Sequence, residues 1–270
     1  MKDRTDWKGF WEEKASQTLS DVEFDRGANA RGAKLDELAR RELVEFIDPQ
    51  PAELLLDAGC GTGANLSLLK GRVRRVVAMD YSKGALERCK RRAQLDSLAN
   101  VTLINGTITQ IPLPSRCVDK VICLSVLHYL DDDGVRVAFG EFARILKPGG
   151  LVILHVKNLG SLYLSTLTLA KRLKIAMGKP TKIEFFRTFS WYVRELGALQ
   201  FDLMDYNSFN LVMLESMPER ALRFLQFLEL KHYGSPVLRN GLVRRAGADL
   251  KIKARLLGEQ SRETQQGAGL

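Results

Sequence analysis

Three glycines at alternate positions, Gly59, Gly61 and Gly63, close the stretch LLLDAGCGTG, with Asp57 two residues ahead of the first. A second acid, Asp80, ends the next apolar run, RRVVAMD. Glycines lack a Cβ, so such a turn tolerates positive φ and lets a ligand approach bare backbone amides. The following NLSLLKG reads as the start of a helix, whose N-terminus favours a polar or anionic group. In a βαβ unit the end of the second strand lies beside that turn, where Asp80 can accept hydrogen bonds from both hydroxyls of a ribose. The spacing G-x-G-x-G departs from the dinucleotide fingerprint G-x-G-x-x-G, and the first expectation is a nucleotide-like cofactor. Two plainer accounts stay open. The glycines could serve a tight turn for steric reasons alone, and Asp80 could belong to the N-cap region of SKGALERCKRR.

The elements needed to position these residues follow from apolar periodicity. Strands are expected at 54–58, 74–79, 101–104 and 118–124, with helices from about 64, at 83–97 and from Val135 to Leu146. The last of these helices stops at Lys147-Pro148-Gly149-Gly150 and gives way to the strand LVILHV. KLDELARRELVEFI is a helix covering the sheet, and Asp48-Pro49-Gln50-Pro51 ends it before the first strand. Alternation of this kind predicts a right-handed, mostly parallel sheet.

At the N-terminus Trp7, Phe10 and Trp11 stand among charges at helical spacing, so a short amphipathic helix either closes over a ligand or pins the terminus. After Val156 a basic amphipathic segment, NLGSLYLSTLTLAKRLKIAMGKPTK, reads as a lid or cap. SWYVRELGALQFDLMDYN then reads as helix, glycine and strand, Arg220 to Leu230 as a helix, and ADLKIKARL as a last strand. The expected organisation is residues 1–50 as N-terminal helices and lid, 51–260 as one domain with cap insertions at about 158–182 and 208–246, and 261–270 as a disordered tail.

A chain of 270 residues that is 45% apolar can bury a full core. Cys60, Cys89, Cys117 and Cys123 form no CxxC and have no His partner at metal spacing, so neither a zinc site nor a disulfide framework is indicated. No apolar leader follows MKDRTDWKG, and the uncharged stretch 158–170 is short of the roughly 20 residues that cross a bilayer. A cytoplasmic protein, soluble or attached to a surface, is expected. The formal net charge of +9 is uneven: 23 Lys and Arg face 22 Asp and Glu in residues 1–150, and 18 face 10 in residues 151–270. The basic C-terminal part could meet anionic lipid, nucleic acid or an acidic substrate, or serve solubility.

Taken in order, LLLDAGCGTG, MDYS, LPSRCVDKVICLSVLHYLDD and ARILKPGGLVIL resemble the motif series of class I S-adenosylmethionine-dependent methyltransferases, in the style of the small-molecule, quinone-biosynthesis-like branch. The resemblance spans about Trp7 to Leu257. It implies an α/β, Rossmann-like fold: a seven-stranded, mostly parallel sheet with an antiparallel last strand, helices on both faces and C-terminal cap insertions. It implies S-adenosyl-L-methionine as cofactor. By similarity, Asp57, Gly59, Gly61 and Gly63 hold its methionine part, Asp80 the ribose and Tyr81 one face of the adenine. Where the family commonly places an acid for the adenine amino group this chain has Thr107, whose hydroxyl can accept the same bond, with Ile108 as apolar wall.

Leu124 and the residues after it end the fourth strand beside the reacting methyl, and His128 is the candidate base or, alternatively, a residue that orients its loop. Asp131–Asp133 read as the first turn of the next helix, and His155, inside an apolar strand, as structural. Glu184, Arg187 and Tyr163 lie in the cap, where they could touch the methyl acceptor or only solvent. The expected activity is in-line methyl transfer to a small-molecule acceptor, lipid- or glycan-linked, with peripheral membrane contact. The alternatives are an RNA methyltransferase, disfavoured because Leu124–His128 lacks an Asn/Asp-Pro-Pro-aromatic cluster, and a cofactor-binding partner without catalysis.

Overall fold

The computed structural model describes residues 6–17, 33–179, 181–209 and 248–258. Seven strands form one sheet: β1 Leu54–Ala58, β2 Arg75–Asp80, β3 Val101–Asn105, β4 Val118–Leu124, β5 Leu146–Lys157, β6 Phe201–Phe209 and β7 Asp249–Leu256. Their order is β3-β2-β1-β4-β5-β7-β6. β1 to β5 pair in parallel, whereas β7 is antiparallel to both β5 and β6, as expected for the last strand. The order reverses between β1 and β4, and a crevice at such a switch point, outside the carboxyl ends of the strands, is where ligands bind open α/β sheets.

Strand alternation divides the core between the two faces. Leu56, Val77, Met79, Val121, Cys123, Val152 and Leu154 point to one face. Their neighbours Leu55, Val76, Ala78, Ile122 and Ile153 point to the other. The first face is covered by α5 (Asp132–Ile145) and α7 (Phe189–Ala198), the second by α2 (Ala33–Ile47), α3 (Leu66–Leu69) and α4 (Lys83–Leu95). α5 shows why the sequence folds this way. The Asp131 side chain caps it by accepting from the Gly134 amide at 2.9 Å, Asp132 and Asp133 sit in its first turn, and Val135, Ala138, Phe139, Phe142 and Ile145 make a fully buried stripe. Burying each phenylalanine stabilises by about 1.5–3 kcal/mol.

The helix after the glycine turn is a single turn, Leu66–Leu69, shorter than the sequence suggests. In the cap, α6 (Leu162–Ala176) buries Leu164, whereas Leu162, Leu169, Leu173 and Met177 face outward. The expected helix at Arg220–Leu230, nearly all of the insertion at 208–246, and the tail at 261–270 lie outside the described residues.

Arg187, which in the sequence could touch either the methyl acceptor or solvent, is buried and holds the backbone after β4. Its guanidinium is 4% exposed and donates to Asp132 Oδ1 at 2.8 Å and to the carbonyls of Leu130 at 2.7 Å, Leu127 at 3.2 Å and Phe185 at 3.2 Å. Replacing Arg187 with Met removes donors from at least two buried or half-buried carbonyls. Unfolding in denaturant should show a loss of about 2–4 kcal/mol, and a loss below about 1 kcal/mol would mean that the clamp is dispensable.

Candidate active site

The glycine turn is built by its own hydrogen bonds. Gly59, Gly61 and Gly63 have φ of +86°, +54° and +79°. A Cβ on Gly59 would stand 2.3 Å from Val126 Cγ2, and one on Gly63 2.8 Å from Cys89 Sγ. The steric account of these glycines therefore holds. The expectation of bare amides does not: Gly59 and Cys60 donate to the Met79 carbonyl at 2.8 and 3.0 Å, Gly63 donates to the Cys60 carbonyl at 2.9 Å, and Gly61 donates to Asp80 Oδ2 at 2.9 Å.

What the turn leaves open is acidic. Asp57, at 1% exposure, carries an oxygen, Oδ2, with no partner among the described residues. Burial first, and the nearby Asp80 charge second, push its carboxyl up to about 7. Asp80 accepts from Gly61 and, through Oδ1, from the Ser82 amide at 2.9 Å. Burial raises its pKa, against the pull of those two hydrogen bonds. Each Asp80 oxygen keeps a lone pair for a further donor. A pocket with an orphaned buried carboxylate oxygen suits a cation-bearing cofactor. The ammonium and sulfonium of S-adenosylmethionine would suit it.

The Tyr81 hydroxyl, pushed upward in pKa by burial, donates to the Trp7 carbonyl at 3.0 Å. Ile108 is buried in the core, Leu124 is half-buried at the end of β4, and the exposed Thr107 bonds its hydroxyl to that of Thr109 at 2.9 Å. Arg144 of α5 anchors the segment carrying Thr107 and Ile108, donating to the carbonyls of Ile111 at 2.9 Å and Leu113 at 2.8 Å.

Helix α1 (Trp7–Gln17) packs against the start of α4 and the residue after Asp80. Glu12 accepts from the Lys83 and Gly84 amides at 2.8 and 3.1 Å, and Arg88 donates to the Ala15 carbonyl at 2.9 Å. Burial opposes ionisation of Glu12, but the two amides hold its carboxyl below the usual range. Docked this way, α1 brings Trp7 to 4.5 Å and Trp11 to 5.7 Å from the Tyr129 ring.

His128 lies in the 3-10 turn Leu127–Tyr129 after β4, 4% exposed and stacked against Tyr129 with ring centres 4.1 Å apart. Its Nε2 is 3.9 Å from Glu184 Oε1, and its Nδ1 has no partner among the described residues. Burial, with Lys157 and His155 adding to it, lowers its pKa to about 3, so the ring is neutral at pH 7. Glu184 also pairs with Lys171 of the cap helix. Of Tyr163, only the backbone, within α6, is described. Ser125, within the stretch expected after β4 but not singled out there, stands at φ +62°, and two residues not named from the sequence join the site: Glu12 on α1 and Asp249 at the start of β7. A buried acid opening an apolar strand could have pointed to Asp249; nothing in composition marks a serine for positive φ.

Strand order and site together define a class I methyltransferase fold. Residues 56–154 match the methyltransferase-domain family. Over 141 residues the chain is 33% identical to a malonyl-[acyl-carrier protein] O-methyltransferase of Serratia marcescens, the match covering 52% of each chain. Over 206 residues it is 27% identical to a probable S-adenosylmethionine-dependent methyltransferase of Mycolicibacterium smegmatis, covering 76% of this chain and 69% of the relative. Against several of these curated relatives, the chain spans about half their length. The geranyl diphosphate C-methyltransferase of Streptomyces coelicolor, solved with S-adenosyl-L-homocysteine, superposes with a TM-score of 0.59 at 18% identity, over 90% of this chain and 87% of that one. Residues 56–154 thus form a methyltransferase domain, and S-adenosylmethionine is the cofactor of that domain.

Two expectations follow from the turn. Asp80→Ala should weaken S-adenosylhomocysteine binding by at least ~1.5 kcal/mol in calorimetry, and Gly61→Val, a branched residue at positive φ, should abolish binding while circular dichroism keeps its strand signal. Unchanged affinity in either variant would remove that residue from the cofactor site.

The second concerns pH. The folded chain holds the Asp57 proton between the ordinary carboxylate range and about pH 7, so the ligand-free protein loses stability as pH rises through that window. A cation on Oδ2 favours the ionised form. Cofactor binding at pH 7 should therefore expel about half a proton, read by calorimetry in buffers of different ionisation heat, and Asp57→Asn should expel none.

Proposed function

We propose that this protein transfers a methyl group from S-adenosylmethionine to a small molecule with a large apolar body, carried on a lipid or another carrier group. The observation that carries the transfer is the acidic turn, with the unpartnered Asp57 oxygen beside Asp80 at the switch point of the sheet. Bound there, the cofactor supplies an activated methyl whose displacement needs no proton on the leaving sulfur. The chain's part is then to orient the two reactants and exclude water.

The apolar methyl acceptor is supported by the wall beside the end of β4. Trp7 and Trp11 pack on Tyr129, which with the more distant Phe186 flanks His128, and Lys182 lies over the Phe10 ring at 3.5 Å. Such rings contribute large contact area at low entropic cost. The unpartnered Nδ1 of a neutral His128 is free to take a hydrogen bond from the methyl acceptor. As a base it is weak, because burial disfavours the imidazolium.

Membrane contact is supported by α6, whose outward Leu162, Leu169, Leu173 and Met177 adjoin Lys171, Arg172 and Lys174. Anionic lipid attracts each basic side chain near its surface by about 1 kcal/mol. Among the described residues no helix is long and apolar enough to cross a membrane, so the proposed attachment is peripheral. The names of several relatives, malonyl-[acyl-carrier protein] O-methyltransferases, add weight to a carrier-borne substrate.

The test is to incubate the protein with methyl-labelled cofactor and a cell extract and to fractionate the products. Label in the lipid or carrier-linked fraction is expected, and label confined to RNA would overturn the reading. His128→Asn should raise KM for the methyl acceptor at least ~5-fold while S-adenosylhomocysteine affinity changes less than ~3-fold.

A further inference from the structure

A chain of polar groups crosses three strands next to the glycine turn. Ser125 follows β4 immediately, and the next side chain, Val126, is the one packed over Gly59. Ser125 is half-buried and held at φ +62°, a region that L residues other than Asn and Asp seldom enter and that is found disproportionately at functional sites. Its Oγ lies 2.9 Å from Nδ1 of His155 on β5, and its amide donates to the His155 carbonyl at 2.9 Å. Across the ring, Nε2 of His155 lies 3.3 Å from Oδ1 of Asp249, the first residue of β7. Asp249 is 1% exposed, and Lys157 Nζ sits 2.7 Å from the same oxygen.

The charges fix the direction of the chain. Burial opposes ionisation of Asp249, but His155 and Lys157 outweigh it and hold the carboxyl below its usual range. An ionised carboxylate only accepts, so the His155 proton belongs on Nε2, leaving Nδ1 to accept from the Ser125 hydroxyl. Burial first, helped by Lys157 and Lys251 and resisted by Asp249, lowers the His155 pKa and keeps the ring neutral. Unlike the enclosed His128, the His155 side chain is 22% exposed.

We propose that Ser125, His155 and Asp249 form a proton relay that deprotonates a hydroxyl-bearing methyl acceptor. The relay rests on the methyltransferase reading above. As the methyl acceptor's oxygen gains its bond to the methyl carbon, its O–H bond breaks and that proton passes to Ser125 Oγ. The proton Ser125 already carried moves to His155 Nδ1. The positive charge that arrived with the sulfonium ends on the imidazolium beside Asp249, and the cofactor leaves as a neutral thioether. The partly exposed ring then returns its proton to solvent. Ser125 is the group that touches the substrate, and His155 and Asp249 act through it. The charged and titratable groups around His155 are Lys157 on its own strand, Asp249 and Lys251 on β7, Glu42 on α2 through its 2.7 Å pair with Lys251, and His128.

The experiment uses the full chain, labelled S-adenosylmethionine and a desalted cell extract, with melting temperature and S-adenosylhomocysteine affinity measured for every variant. His155→Gln should slow label transfer ~100-fold with cofactor affinity within ~3-fold of wild type. Ser125→Ala should slow it comparably. Nitrogen-15 resonances of the imidazole should place the proton of neutral His155 on Nε2. The wild-type rate should fall with falling pH along that ring's own titration, and Asp249→Asn should move both midpoints down together. A proton on Nδ1, or a His155→Gln variant that labels within ~3-fold of wild type, overturns the relay alone. So does a Ser125→Ala variant that loses melting temperature but keeps its rate and pH profile, since Ser125 would then only brace the turn. A wild type that binds no S-adenosylhomocysteine and labels nothing overturns the methyltransferase reading, and the relay with it.

Discussion

The Asp80 carboxylate is the joint on which the ligand-binding half of the molecule turns. Its two oxygens take the amides of Gly61 and Ser82, so one buried side chain fastens the turn after β1 to the turn after β2. Its carbonyl accepts from the Gly106 amide at 3.1 Å and from Asn105 Nδ2 at 3.0 Å, which draws in the end of β3. Ser82, held by that carboxylate, caps α4 through the Ala85 amide, and the N-terminus of α4 in turn receives Glu12 of α1. Removing the acid would therefore loosen both turns and the docking of α1 together. A position that binds ligand and also organises its surroundings is constrained more tightly than either task would require.

The same hydrogen bonds decide what kind of ligand the turn can hold. A dinucleotide loop offers unpaired amides to a pyrophosphate, and its helix N-terminus adds to the pull. Here four of the turn's amides are committed within the protein, α3 is a single turn, and two carboxyls are buried nearby. Burial first, and the neighbouring Asp80 charge second, keep the proton on Asp57 up to about pH 7 until a cation arrives. Similar strand–turn–helix sequences can thus select ligands of opposite charge.

Much of this architecture was legible in the sequence because it is local. The glycines, Asp80 at the end of an apolar run and the capped stripe of α5 each leave a signature within a few residues. The slot of β7 between β5 and β6 was readable only through resemblance, since no pattern within Asp249–Leu256 names its neighbours. Arg187 gave no sign of its clamp for a similar reason. Its burial depends on the carbonyls of Leu127 and Leu130, bared by a 3-10 turn nearly sixty positions earlier in the chain. His155 read as structural because a strand shows its own alternation and hides what stands opposite. Ser125 comes from β4 and Asp249 from β7, and only the sheet brings them to either side of the ring.

The place of β7 bears on how such a chain is completed during synthesis. The ribosome releases β1 to β6 well before Asp249–Leu256, yet β6 reaches the rest of the sheet only through β7. The nascent chain can pair β1, β2 and β4 and shape the glycine turn while β5 and β6 still present open edges. Asp249, which enters with β7, arrives after the cofactor site can already exist. A chain caught at that stage could hold its cofactor while its outer strands remain unjoined, so assembly of the ligand site and closure of the sheet are separate events in the life of each molecule.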